Sequence, residues 1–200
     1  MIDTTSEPLA YHYTTAHAFE KIKSSGLLKS RALLISEELR SRPDWEQIKH
    51  DRNAIVAALP RHATSIFSEL TYKPCVWFTD NEFWEPQAGY LGMGADRLKL
   101  GSAESRQRKP LNMDEMYSQG GGLIRLAMPQ SKLVHQSRLD EVLGVPLILR
   151  IIAIARIGSD PRHRRSSTFF GYVAPSLPLS EIARIESFVP ETGWTPQDTC

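Results

Sequence analysis

The chain has 200 residues, of which 41% are apolar, so it can bury one core and form one domain spanning 1–200. Its 24 Lys and Arg residues balance 23 Asp and Glu residues, and this balance excludes a global field that would attract nucleic acid or a membrane. Cys75 and Cys200 form neither a disulfide framework nor a metal spacing, and no signal peptide or membrane span is evident, so we expect a cytoplasmic protein without a metal site.

Residues 9–15 predict a short strand that is followed directly by a helix. Thr14 or Thr15 can cap this helix by accepting a backbone N–H, and Gly26 can supply the left-handed residue after its last turn. His12 places a titratable ring in the middle of the strand. A single histidine in a strand is most often structural, so its function has to be judged from the surrounding motif.

Two more helices are predicted before residue 60. Ser36 could cap a short helix that stops before Pro43. Asp44 has the form of an N-cap, with Gln47 as its reciprocal partner. The helix after it would end at Pro60 and cover the core with one apolar face, formed by Trp45, Ile48, Ile55, Val56 and Leu59.

Val76 to Thr79 follow Pro74 and combine branched and aromatic side chains, which predicts a strand. Residues 89–122 are then predicted to form a long irregular excursion that is rich in glycine, and loops of this length are usually disordered or functional. Its basic residues could bind phosphates, or they could be ordinary solvated charges. They are Arg97, Lys99, Arg106, Arg108 and Lys109.

The last third of the chain predicts mostly strands. Residues 123–128 predict a strand that ends at Pro129, with Arg125 facing a polar site or solvent, and a helical pattern runs from Ser131 toward Leu143. The apolar run at 146–157 fits a strand or a helix equally well. A basic cluster at 162–165 precedes a strand at 169–173.

Three of these segments, taken in order, resemble the ADP-ribosyltransferases of the diphtheria-toxin-like and poly(ADP-ribose)-polymerase-like type. They are His12-Tyr13-Thr14 on the first strand, Val76-Trp77-Phe78-Thr79 with Tyr90 shortly after it, and the aromatic strand at 169–173 followed by Pro178-Leu179 and a last strand of the Ile-x-x-Ile type at 182–185. The resemblance implies an α+β fold in which split antiparallel β-sheets and flanking helices surround an NAD cleft.

The resemblance also implies roles for individual residues. His12 would hydrogen-bond the ribose of NAD, Tyr13 would offer backbone groups to the nicotinamide amide, and Tyr90 would stack on the nicotinamide ring. The implied catalytic residues are His12, Tyr90 and Thr168. The implied cofactor-binding residues are His12, Tyr13, Thr14, Trp77, Phe78, Thr79 and Tyr90.

The chain departs from the family at the catalytic acid. Thr168 stands where active members carry a glutamate that holds the ribose 2′-hydroxyl. Threonine cannot supply a negative charge, so an active enzyme would need another carboxylate or would rely on binding and strain. Asp160 and Glu186 are the candidates by their proximity in the sequence.

We therefore expect NAD-dependent mono-ADP-ribosyl transfer to a macromolecular acceptor, either nucleic acid or protein. By analogy with small stand-alone transferases, the protein would be a toxin or phage-defence effector and would be paired with an antitoxin or immunity protein. The alternative is a degenerate transferase fold that binds ADP-ribose, nucleic acid or a protein partner without catalysis.

Overall fold

The computed structural model describes residues 7–51, 53–55, 74–82, 120–143, 168–189 and 191–197. The first elements are β1 (Leu9–Thr15), α1 (Ala16–Ser25), β2 (Leu27–Lys29), α2 (Arg31–Arg40), α3 (Trp45–Ile48) and β3 (Val76–Thr79). They are followed by β4 (Leu123–Pro129), β5 (Val134–His135), α4 (Gln136–Leu143), β6 (Phe169–Tyr172), β7 (Ser176–Pro178), β8 (Arg184–Val189) and β9 (Gly193–Pro196).

The described strands form one large sheet and one small sheet. Seven strands pair antiparallel in the order β5-β6-β3-β1-β4-β8-β9, while β2 pairs antiparallel with β7. Strand β1 is central and is registered with β4 over its whole length, from Leu9 opposite Pro129 to Thr15 opposite Leu123. The expected α+β class with mostly antiparallel strands is confirmed.

The two faces of the large sheet are buried differently, because successive side chains of a strand point to opposite faces. On the core face, Ala10, Phe78 and Leu126 pack with Phe19 of α1 and Leu177 of β7. The opposite face, here called the aromatic face, buries Tyr11, Tyr13, Leu123 and Ala127, with Phe188 and Trp194 packed against them. Helix α1 and the small sheet therefore lie against the core face.

The predicted start and end of α1 are confirmed. The Thr15 hydroxyl accepts a hydrogen bond from the Ala18 N–H at 3.3 Å, which makes Thr15 the cap. Gly26 adopts a φ of 67°, and its N–H donates to the Lys23 carbonyl. These features depend on local backbone preferences, and for that reason the sequence pattern predicted them.

The glycine triplet at 120–122 lies against the junction of β1 and α1. The Ala16 N–H donates to the Gly122 carbonyl at 3.0 Å, which satisfies one free donor of the helix start. A Cβ added at Gly120 would lie 2.8 Å from the Thr15 Cβ. The triplet therefore allows two backbone segments to approach closely beside β1.

The predicted caps of the next two helices are wrong. Ser30 caps α2 by accepting the Leu33 N–H at 3.2 Å, and Ser36 lies inside the helix. The Asp44 carboxylate makes no capping bond because it accepts two hydrogen bonds from Arg42, each at 2.9 Å. Helix α3 ends after four residues, so the predicted single helix from 45 to 59 is interrupted, and residues 56–60 lie outside the described residues.

The predicted helix from Ser131 to Leu143 is also wrong in its first half. A short 3₁₀ turn (Gln130–Lys132) and strand β5 come first, and α4 begins only at Gln136. Val134 and His135 pair with Gly171 and Phe170 of β6, and this non-local pairing overrides the helical pattern.

The other strand predictions are confirmed, and two further predicted segments lie outside the described residues. Strands β3, β4 and β6 occur where they were predicted, and β8 includes the end of the Ile-x-x-Ile segment. The apolar run at 146–157 and residues 89–119 of the excursion lie outside the described residues. In the described part of the chain, no helix is long and apolar enough to cross a membrane.

Candidate functional site

The backbone pairing of β1 with β3 ends next to His12. Strand β1 has seven registered pairs with β4 but only one with β3, which joins Tyr11 and Thr79. Beyond that pair, the His12 ring bridges the two strands, with its Nδ1 atom 2.9 Å from the Trp77 carbonyl oxygen. A side chain therefore connects β1 to β3 where the described backbone ladder has ended.

The contact with Trp77 determines which nitrogen of His12 carries a proton. A carbonyl oxygen can only accept, so Nδ1 is the donor. Burial lowers the pKa of His12 below its usual 6.5, and the bond to the Trp77 carbonyl opposes this effect only in part. The ring is consequently neutral at pH 7, and its Nε2 atom is an acceptor.

The predicted cofactor-binding side chains do not line a single surface. His12 and Phe78 belong to the core face, and their ring centroids lie 5.8 Å apart. Tyr13 lies on the aromatic face. Trp77 is 42% exposed, and its carbonyl, not its ring, contacts His12.

Several members of the predicted set are buried by the fold. Thr14, Phe78 and Thr79 are buried, and the Thr79 hydroxyl accepts the Asn81 N–H at 3.2 Å. His12 is partly exposed, so His12 and Trp77 are the described members of this set whose side chains can reach a ligand. Tyr90 lies outside the described residues.

Thr168 lies immediately before β6 and is bonded to Asp80, which immediately follows β3. The Asp80 N–H donates to the Thr168 carbonyl at 3.1 Å, and the Thr168 N–H donates to Oδ1 of the Asp80 carboxylate at 2.8 Å. A carboxylate therefore lies beside the position where the family resemblance places a glutamate. Sequence analysis missed Asp80, because the register of β3 with β6 brings it beside Thr168 and no local pattern in the sequence reveals that register.

Glu186, one of the two candidate acids, is engaged on the aromatic face. Its Oε2 atom accepts a hydrogen bond from Nε of Arg125 at 2.5 Å, and both side chains are almost completely buried. The Arg125 guanidinium lies over the rings of both Tyr11 and Trp194, with 4.6 Å to each centroid. Although burial opposes the charge of Arg125, the contact with Glu186 raises its pKa overall. Asp160, the other candidate, lies outside the described residues.

Tyr13 and Arg125 of the aromatic face also hold the residues that follow β3. The Tyr13 hydroxyl donates to the Asn81 carbonyl at 2.7 Å, and Nη1 of Arg125 donates to the Glu82 carbonyl at 3.0 Å. Burial raises the pKa of Tyr13 well above its usual value, so the phenol remains a donor. Residues 80–82 are thus anchored by Thr168 on one side and by the aromatic face on the other.

Comparison with known proteins adds no assignment. No family model matches the chain, and neither does any curated protein or solved structure. Within the described ranges, no group of three or more His, Cys, Asp or Glu side chains could hold a metal ion. The functional assignment therefore depends on the geometry around His12 and on the motifs in the sequence.

Proposed function

We propose that this protein is an NAD-dependent mono-ADP-ribosyltransferase that modifies a macromolecular acceptor. The single observation that supports the proposal most is the neutral, partly exposed His12 ring at the end of the β1–β3 ladder. The first-strand histidine of the family that the sequence resembles binds the ribose of NAD. An Nε2 acceptor in this position suits a ribose hydroxyl.

In this mechanism, His12 orients NAD and the fold orients His12. The Trp77 carbonyl holds Nδ1–H, so the ring cannot rotate without losing a hydrogen bond, and Nε2 accepts a hydrogen bond from a ribose hydroxyl. The bond between C1′ of the ribose and the nicotinamide nitrogen breaks, and its electron pair leaves with neutral nicotinamide. The acceptor then forms a bond to C1′ and loses a proton, so NAD and the acceptor yield the ADP-ribosylated acceptor, nicotinamide and a proton.

The test is a set of His12 variants assayed for NAD affinity by calorimetry and for nicotinamide release. In His12→Asn, the amide nitrogen can replace Nδ1 as the donor to Trp77, but the variant has no group in place of Nε2. We expect NAD binding to weaken by about 1–3 kcal/mol, because a buried ribose hydroxyl loses its partner. His50 is exposed and follows α3, so His50→Asn is the matched control and should bind NAD like the wild type.

Unchanged NAD affinity in a folded His12→Asn protein would contradict the assignment of His12 to the ribose. His12→Ala adds a second comparison, because it removes the donor to Trp77 as well. We expect it to lower the melting temperature in addition to weakening NAD binding.

The class of acceptor can be identified with labelled NAD in a cell lysate. Half of the product is digested with protease and half with nucleases, and loss of label in one half names the class. A nucleic-acid acceptor predicts that labelling falls steeply with salt, because cationic side chains that contact phosphates release counterions on binding. The candidate cations are Arg106, Arg108, Lys109, Arg162, Arg164 and Arg165, all of which lie outside the described residues.

A binding module without catalysis is the second candidate, and Thr168 favours it. The side chain at the family's glutamate position carries a hydroxyl and no charge. Such a module would bind NAD or ADP-ribose in calorimetry but would release no nicotinamide in any lysate fraction. Measured release by the wild type would exclude it.

A further inference from the structure

We propose that Asp80 supplies the catalytic carboxylate that Thr168 cannot provide. This inference rests on the proposed transferase function and deepens it by naming the acid. The motifs in the sequence had pointed to Asp160 or Glu186 for this role. The arrangement of β3 and β6 instead brings a different carboxylate to the position.

The Asp80 carboxylate is oriented by a hydrogen bond at the end of a regular ladder. Strands β3 and β6 pair Phe78 with Phe170 and Thr79 with Phe169, and the bond from the Asp80 N–H to the Thr168 carbonyl continues the ladder by one step. The Thr168 N–H donates a hydrogen bond to Oδ1 of Asp80 at 2.8 Å. In a continued ladder this N–H would bond to a backbone carbonyl, so the carboxylate has taken the place of one.

The second oxygen of the Asp80 carboxylate, Oδ2, is the one that we expect to bind a ligand. Within the described residues, the Asp80 side chain accepts one hydrogen bond, which the Thr168 N–H donates to Oδ1. Asp80 is partly exposed, and no hydrogen bond to its Oδ2 atom is made by the residues that the structure describes. A carboxylate has lone pairs for several bonds, so a substrate hydroxyl can bind Oδ2 without displacing Thr168.

Asp80 is connected to His12 through Phe78 of β3. His12 contacts the Phe78 ring, with 5.8 Å between ring centroids, and Asp80 follows Phe78 by two residues. Two residues of extended chain span about 7 Å, so Asp80 lies about that far along the chain from the residue that His12 contacts. The Trp77 carbonyl holds the imidazole, and the Thr168 N–H holds the carboxylate.

Glu186 does not compete for this role in the described structure. It lies on the aromatic face, on the other side of the sheet from Phe78, where its Oε2 atom bonds to Arg125 and its Oε1 atom lies 3.4 Å from Nε of Arg184. Both contacts balance its charge within the fold. Asp80, in contrast, has a backbone N–H as its one described side-chain partner, so its charge is available to a substrate.

The chemistry requires a negative charge at this place. When the C1′–nitrogen bond breaks, the electron pair leaves with nicotinamide and positive charge develops on the ribose. A fixed carboxylate stabilises that charge more in the transition state than in bound NAD, which raises the rate and not the affinity. The proton that the acceptor loses on attacking C1′ passes to the Asp80 carboxylate and then to water.

The decisive variant is Asp80→Asn, assayed for nicotinamide release, NAD affinity and melting temperature. The amide oxygen can still accept the Thr168 N–H, so the ladder is kept while the charge is removed. We expect the rate of nicotinamide release to fall about 100-fold or more, because removing one group that stabilises charge in a transition state has an effect of this size in other enzymes. The dissociation constant for NAD should change less than about threefold. Asp80→Glu retains a charge and should recover part of the activity.

The matched control is Asp44→Asn, which removes a carboxylate from the contact with Arg42, outside the proposed site. Its release should equal that of the wild type. If Asp80→Asn does not fold at the assay temperature, Asp80→Ser takes its place, because its hydroxyl can accept the same N–H and carries no charge.

The outcomes separate this inference from the proposed function. If the wild type releases nicotinamide and Asp80→Asn releases it at a similar rate, the role of Asp80 is overturned and the transferase function stands. If the wild type binds NAD and releases none, the transferase function fails, and the role of Asp80 fails with it. If Asp80→Asn loses release and NAD affinity together, Asp80 is a binding residue and the catalytic assignment is wrong.

Discussion

Replacing Glu186 with glutamine should destabilise the protein strongly, because it removes a charge from the aromatic face and leaves the charge of Arg125. The two side chains are 5% and 9% exposed, and they are joined by the short bond from Nε to Oε2. Breaking one half of a buried ion pair costs about 3–5 kcal/mol. Glutamine keeps an oxygen acceptor, and Tyr11 and Trp194 remain on the guanidinium, so we expect a loss near the lower limit, about 3 kcal/mol.

The assay is denaturant unfolding, with the free energy of unfolding extrapolated to water for wild type and variant. The control is Glu20→Gln, which removes the carboxylate of an exposed pair with Lys23 and should leave the stability unchanged within error. A loss below about 1 kcal/mol for Glu186→Gln would refute the reasoning from burial.

The same variant tests the position of Glu186 relative to the chemistry. Since the carboxylate lies on the aromatic face, away from His12, nicotinamide release per folded molecule should stay within about threefold of the wild type, well short of the loss that follows removal of a charge from a transition state. Abolished release in a variant of normal stability would return Glu186 to the role of the catalytic acid.

Three further predictions concern the fold around the site. The pKa of His12 is lower in the folded protein than in the unfolded chain, so the unfolded chain binds a proton more readily, and the free energy of unfolding should rise as pH increases from the lowered pKa toward 6.5. Denaturant melts of His12→Asn at several pH values should show no such rise from this residue. A pH dependence in the variant as steep as that of the wild type would contradict the prediction. In Gly171→Ala, the new Cβ would lie 2.5 Å from Sγ of Cys75, so the variant should lose about 1–3 kcal/mol in denaturant melts, and wild-type stability would show that the contact relaxes freely. Thr15→Ala removes the bond to the Ala18 N–H and should cost about 1 kcal/mol in the same melts, whereas Thr15→Ser, which keeps the hydroxyl, should cost less.

Local features could be predicted from the sequence because they depend on neighbouring residues. The strand at β1, the Thr15 cap and the left-handed Gly26 all follow from rotamer, capping and backbone preferences within a few residues. The same is true of β3 and β6, whose branched and aromatic side chains favour a strand in any sheet. These segments also carry the residues on which the family resemblance depends.

Where local signals competed, the tertiary structure decided between them. Ser30 and Ser36 can both cap a helix, and Ser30 does so because it directly follows β2, which is held by pairing with β7. Residues 134–135 had a helical pattern, but β6 offered them a sheet edge. Neither partner strand is near in the sequence, so no local pattern could choose.

The polar contacts of the site depend entirely on the tertiary structure. Arg125 and Glu186 are 61 residues apart, and Asp80 and Thr168 are 88 apart. The first pair meets through the register of β4 with β8, and the second through the ladder of β3 with β6. A register is set by how whole strands bury their apolar faces, so the sequence determined which strands would form, and only their pairing decided which carboxylate would lie on the aromatic face and which beside Thr168.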